Sequence, residues 1–143
     1  MICVEHDATG DVRQKVLGPN PPLVWVVLGE EAIRRPVGGP DVLRGQLLRL
    51  HELAELDHVT LQIMPINAGA HPGLGVEFVM LHLAAAKATF AYVESLTSSD
   101  YLPRPKHTNA YSLVFDRLRV AALSDADSLA LINDHIAALE NRK

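Results

Sequence analysis

The side chains best placed to do chemistry in this sequence are Glu31, Arg35, Gln62, His71, Tyr92 and Glu94. His71 lies in the loop Ile66-Asn67-Ala68-Gly69-Ala70-His71-Pro72-Gly73-Leu74-Gly75. Glycine-rich loops run over the surface, where functional side chains concentrate. An imidazole there titrates near neutrality, so it can move a proton or contact a ligand. Glu31 stands four residues before Arg35, the spacing of a helical ion pair. Both follow an apolar run, and charges at the end of a buried strand are placed for a crevice. Tyr92 and Glu94 share strand parity, so phenol and carboxylate face the same way. Gln62 is a third polar group for that face. These six form the expected ligand-binding set. As acid–base groups of an enzyme, the candidates are Glu31, His71, Tyr92 and Glu94.

Other chemistries find less support. The chain has neither a G-x-x-x-x-G-K-[ST] nor a G-x-G-x-x-G string, so no cofactor is expected. Its 7 histidines include no H-E-x-x-H or H-x-H pattern. His51 and Glu55 are spaced to share a helix face, which reads better as a solvated face than as a metal clip. His82 reads as a half-buried histidine held by one hydrogen bond. No metal is expected. Cys3 is the single cysteine, which excludes an intramolecular disulfide and makes a cytoplasmic protein the default. The net charge of −4 speaks against nucleic-acid binding by this chain alone. Arg104, Lys106, Arg117 and Arg119 cluster, but Asp100 and Asp116 dilute them.

These residues need elements to hold them. At 143 residues and 48% hydrophobic, the chain has the size and composition of a single globular domain. Its apolar runs are too short to cross a bilayer. Residues 1–11 read as a flexible N-terminal segment and 12–143 as the domain, with a helix ending near Leu17. Leu23–Leu28 is continuously apolar, as in a strand buried on both faces. Asp41 is a suitable N-cap for a helix carrying Leu43, Leu47, Leu50 and Leu53 on one face. His58–Pro65 alternates as a half-buried strand, and Val76–Leu83 and Thr89–Glu94 are two more strands. Tyr111, Val114, Phe115, Leu118 and Ala122 fit one helical face. Ser124 opens a last helix with Asp127 three residues on, and Leu129, Ile132, Ile136 and Leu139 make its apolar stripe. The expected fold is α/β or α+β: a small mixed sheet of about four strands with three to four packed helices. The first two strands, separated by a helix, favour a parallel crossover; the later strands favour antiparallel pairing.

One series of short motifs, taken in order, carries a family resemblance. It runs Leu28-Gly-Glu-Glu31-Ala-Ile-Arg-Arg35-Pro-Val-Gly-Gly39, Gln46-Leu47, Gln62-Ile-Met-Pro65, Gly69-Ala-His71-Pro-Gly73, Phe78, Tyr92-Val-Glu94, Phe115-Asp-Arg-Leu118 and Ala122-Leu-Ser124. Over about residues 12 to 140 this resembles the C-terminal domain of actinobacterial XRE-type helix-turn-helix transcriptional regulators, often called antitoxin-like. Such regulators begin with a DNA-binding domain, and Val12-Arg13-Gln14-Lys15 looks like the end of their connecting helix. The resemblance implies a regulatory domain that senses a small molecule, binds a small partner protein or forms a homodimer. It implies contact with nucleic acid only through a separate helix-turn-helix, and no membrane. The Gly69–Gly75 loop is the expected moving element. The alternative is a stand-alone small enzyme on the same scaffold, such as an acid–base-assisted cyclase in natural-product biosynthesis.

Overall fold

The apolar run and the first alternating run pair with each other. The computed structural model describes residues 21–84 and 86–141. Strand β1 (Val24–Gly29) lies parallel to β2 (Val59–Met64), with Val24 opposite Val59 and Gly29 opposite Met64. A short helix α1 (Glu30–Arg34) and a longer α2 (Pro40–Ala54) make the crossover. Gly38 and Gly39 enter α2 with φ of 79° and 101°, a region that favours glycine. Gly39 is the N-cap, not Asp41. Pro40 takes the first helical position, where its fixed φ and missing N–H cost nothing, so Asp41 falls one residue inside. Its carboxylate there complements the positive end of the helix dipole.

Leu43 and Leu47 of α2 are buried with Ile33, Leu61 and Ile63, and Leu50 packs beside them. Ile132 and Ile136 of the last helix, α4 (Asp125–Glu140), close this cluster from the other side.

The second sheet is antiparallel and ordered β3-β4-β5: β3 (Phe78–Leu83), β4 (Ala88–Glu94) and β5 (Ser99–Leu102). Strand β5 is an addition to the expected set. Its four residues, Ser-Asp-Tyr-Leu, are mostly exposed and too short for an alternation to stand out. It is defined by pairing, with Leu102 opposite Ala91 and Tyr101 opposite Tyr92. Phe78, Met80 and Ala91 form the inner face, against Tyr111, Val114 and Phe115 of α3 (Pro105–Ala121). Val114 and Phe115 also pack, with Leu118, on Val27 and Met64 of the first sheet. Helix α3 is thus shared by both sheets. The architecture of the described residues is mixed α+β, with five strands in two sheets and four α-helices. The segment 1–11 and the helix expected to end near Leu17 lie outside the described residues.

A two-stranded parallel sheet has open edges, and buried backbone groups there must find partners. The Ile63 N–H donates to Ser128 Oγ at 2.8 Å, and the Ile63 carbonyl accepts from the Leu123 N–H at 2.9 Å. Both groups come from the junction of α3 and α4. Ser124 caps α4, its hydroxyl oxygen accepting from the Asp127 N–H at 3.1 Å. Ser128→Ala is expected to lower the unfolding free energy by about 1–3 kcal/mol, because it leaves a buried N–H unpaired. Ser124→Ala, which removes only a cap, costs about 1 kcal/mol. Urea unfolding of both variants measures the difference.

Candidate functional site

The carboxyl end of β1 holds a buried carboxylate, but it is Glu30 and not Glu31. Glu30 is 6% exposed. Its Oε2 accepts from the Ile66 N–H at 2.8 Å and its Oε1 from Arg34 Nε at 2.7 Å. The ion pair expected between Glu31 and Arg35 is therefore formed one residue earlier, by Glu30 and Arg34. Helix α1 turns directly out of the strand, which aims Glu30 back at the segment after β2 and leaves Glu31 and Arg35 exposed. The Ile66 N–H, helped by Arg34, holds the Glu30 carboxyl below the usual glutamate range against the opposing effect of burial. The clasp closes the strand end where a crevice was expected.

Gln62 is also drawn inside. It does not share a face with Tyr92 and Glu94, because β2 and β4 belong to different sheets. Its Oε1 accepts from Trp25 Nε1 at 2.8 Å, and its Nε2 donates to the carbonyls of Leu123 at 2.9 Å and Arg119 at 3.2 Å. The amide thus ties the indole to the end of α3.

Tyr92 and Glu94 are brought together. The phenol donates to Glu94 Oε2 at 3.1 Å, on the sheet face opposite α3. Tyr101 lies beside Tyr92, with ring centroids 4.8 Å apart. The Glu94 carboxylate keeps the Tyr92 hydroxyl protonated above the usual phenol range. No hydrogen bond or ion pair among the described residues links this pair to Glu31 or His71. His71 is half-buried, and its Nδ1 has no hydrogen-bond partner among the described residues. Its loop is anchored on α3: a Cβ at Gly73 would meet both Leu118 methyls at 2.9 Å. Gly73 therefore permits close packing, whereas Gly69 and Gly75 supply positive φ angles of 75° and 72°.

A concavity lies at the opposite, amino-terminal ends of β1 and β2. It is a cleft of about 400 Å³ between those ends, β3 and α3. Val24, Trp25, Met80 and Phe115 supply apolar surface. Asp57, His58, Thr60, His82, Ser112 and Asp116 supply polar groups. Trp25 meets Phe115 edge-to-face at 6.3 Å, and the Arg119 guanidinium lies 4.8 Å from the indole centroid. Arg119 in turn pairs with Asp116 at 3.0 Å. His82 Nδ1 is 3.1 Å from Thr89 Oγ1, the single hydrogen bond expected of it, but the side chain is exposed and not half-buried. His58 Nε2 is enclosed and has no partner among the described residues. An apolar cleft with a few convergent polar groups has the make-up of a small-molecule site. Sequence reasoning missed it because its residues are scattered over four segments. The one available signal was Trp25, whose N–H needs a partner wherever the indole is buried.

No group of three or more His, Cys, Asp or Glu among the described residues could hold a metal ion. His51 and Glu55 face each other at 4.0 Å. No described helix is long and apolar enough to cross a membrane.

A family model described as "Domain of unknown function (DUF5753)" matches residues 7–134. Neither the curated proteins nor the solved structures hold a significant match to the chain.

The Glu30 clasp makes a pH prediction. A carboxyl held low in the folded state stabilises the fold above its unfolded pKa, and that stabilisation is lost as pH falls through the folded value. Melting temperature should therefore fall on acidification below about pH 4.3, the unperturbed glutamate value. Glu30→Gln should lower stability near neutrality by about 1–2 kcal/mol and flatten this acid branch. Thermal melts across the acid range read both effects.

Proposed function

The chain belongs to the DUF5753 family, and for it we propose a regulatory role: a ligand-sensing domain of the kind attached to helix-turn-helix transcription factors. On this reading the chain does not itself bind DNA, and its ligand enters the cleft beside Trp25. The observation that carries the reading is the coupling of that cleft to the helices. Trp25 stands in the cleft wall, and its indole N–H is held by Gln62. The same Gln62 amide holds the carbonyls of Arg119 and Leu123, where α3 ends and the chain turns into α4. A ligand that moves the indole changes the hydrogen bonding of the helix junction, and so biases a shared packing element between two arrangements. The mild net acidity of the chain fits an output delivered through a separate DNA-binding domain. The ordered motifs from Leu28 to Ser124 support the same assignment to XRE-type regulators. A cytoplasmic location goes with that assignment.

A thermal-shift screen of small metabolites on the full chain tests this. Ser112 lines the cleft, and Ser112→Trp fills it. Compounds that raise the melting temperature are expected to lose that effect in Ser112→Trp, while Gln62→Leu leaves binding within a few fold and reduces the accompanying change in helix protection measured by hydrogen exchange. Hits indifferent to Ser112→Trp, or no hits, overturn the reading. Fluorescence anisotropy with duplex DNA should show no salt-dependent binding by the chain alone.

A further inference from the structure

The cleft has a charge character that selects among ligands, and this inference rests on its reading as a ligand site. Its wall carries two carboxylates from different elements, Asp57 before β2 and Asp116 on α3. No lysine or arginine is among its described lining residues. The nearby Arg119 is committed to the Trp25 ring and to Asp116. Asp57 forms no ion pair among the described residues and is exposed. The other polar lining groups, Thr60 and Ser112 among them, are small hydroxyls and imidazoles. The apolar part of the wall includes two aromatic rings, Trp25 and Phe115, whose π systems attract cations as well as apolar groups. The volume of about 400 Å³ lies at the small end of ligand pockets, which run from about 300 to 1,000 Å³.

We infer that the cleft takes a small organic amine bearing an aromatic ring. The ring packs against Trp25, Phe115 and Met80, and the ammonium is drawn to Asp57, the lining carboxylate that no ion pair among the described residues neutralises. An anionic ligand of the same shape meets the unpaired Asp57 carboxylate, while the Arg119 cation among the described residues is already paired with Asp116, so charge discriminates against it. A neutral ligand keeps the ring contacts and loses the charge term.

Three probes with one ring separate these cases: 2-phenylethylamine, 2-phenylethanol and phenylacetate. Affinity is measured by calorimetry on the full chain, and location by the NMR signal of the Trp25 indole N–H, which is unambiguous because the chain has a single tryptophan. The amine is expected to bind about ten-fold more tightly than the alcohol, with phenylacetate weakest, and added salt should narrow the gap. Asp57→Asn should weaken the amine about five-fold and leave the alcohol unchanged. Asp57→Glu should restore most of the loss, which separates a charge effect from a folding defect.

Equal or tighter binding of the alcohol or phenylacetate at Trp25 overturns the amine class and leaves the cleft standing as a ligand site. Amine binding indifferent to Asp57→Asn does the same. Failure of all three probes to shift the indole signal also overturns the amine class. The cleft reading itself then stands or falls on the Ser112→Trp comparison.

Discussion

The open edge of β2 is where the two halves of this fold are joined. Both backbone groups of Ile63 leave the β1–β2 pair and bond to the α3–α4 junction, one to the Ser128 hydroxyl and one to the Leu123 N–H. Ile63 and Ser128 are fully buried, so water cannot substitute for either partner. A parallel pair this small survives in a core only if its edge is paired or covered. The helical junction does both. It supplies hydrogen bonds in place of a third strand, and it brings Ile132 and Ile136 onto the same apolar cluster as Leu43 and Leu47.

Fixing the junction also fixes α3, and α3 decides where the second sheet sits. Val114 and Phe115 touch both sheets, so the antiparallel sheet is held against the parallel pair through one helix. The cleft occupies the gap left at one end of that arrangement. At the other end of the β1–β2 pair, Glu30 joins the turn out of β1 to the backbone after β2. The ends of the β1–β2 pair therefore differ in chemistry. One is closed by a buried carboxylate with its hydrogen bonds made. The other is open, aromatic and acidic at its rim.

Several elements were legible in the sequence because their signals are local. The leucine spacing of α2, the alternation of β2 and the Ser124–Asp127 cap each depend on neighbours within a few residues. The parallel and antiparallel pairings followed from the connections, since a helix crosses over between β1 and β2 while a short turn joins β3 to β4. The site was far less legible. Glu30 and Glu31 are indistinguishable as neighbours in sequence, and the direction in which α1 leaves β1 selects the first. Gln62 reads as an exposed polar residue on an alternating strand; it is buried because three distant groups satisfy its amide.

The sequence by itself determined four of the five described strands, the three longer described helices, and which faces of those helices are apolar. Those properties arise from backbone propensity and periodicity, which act over a turn or a pair of residues. Tertiary structure alone decided that the strands divide into two sheets, that β5 joins the second, and that Trp25, Asp57, His82 and Asp116 border one cleft. Those outcomes depend on which edges and faces find partners across the chain. Burial and hydrogen-bond satisfaction are settled between residues tens of positions apart, and no local pattern records them.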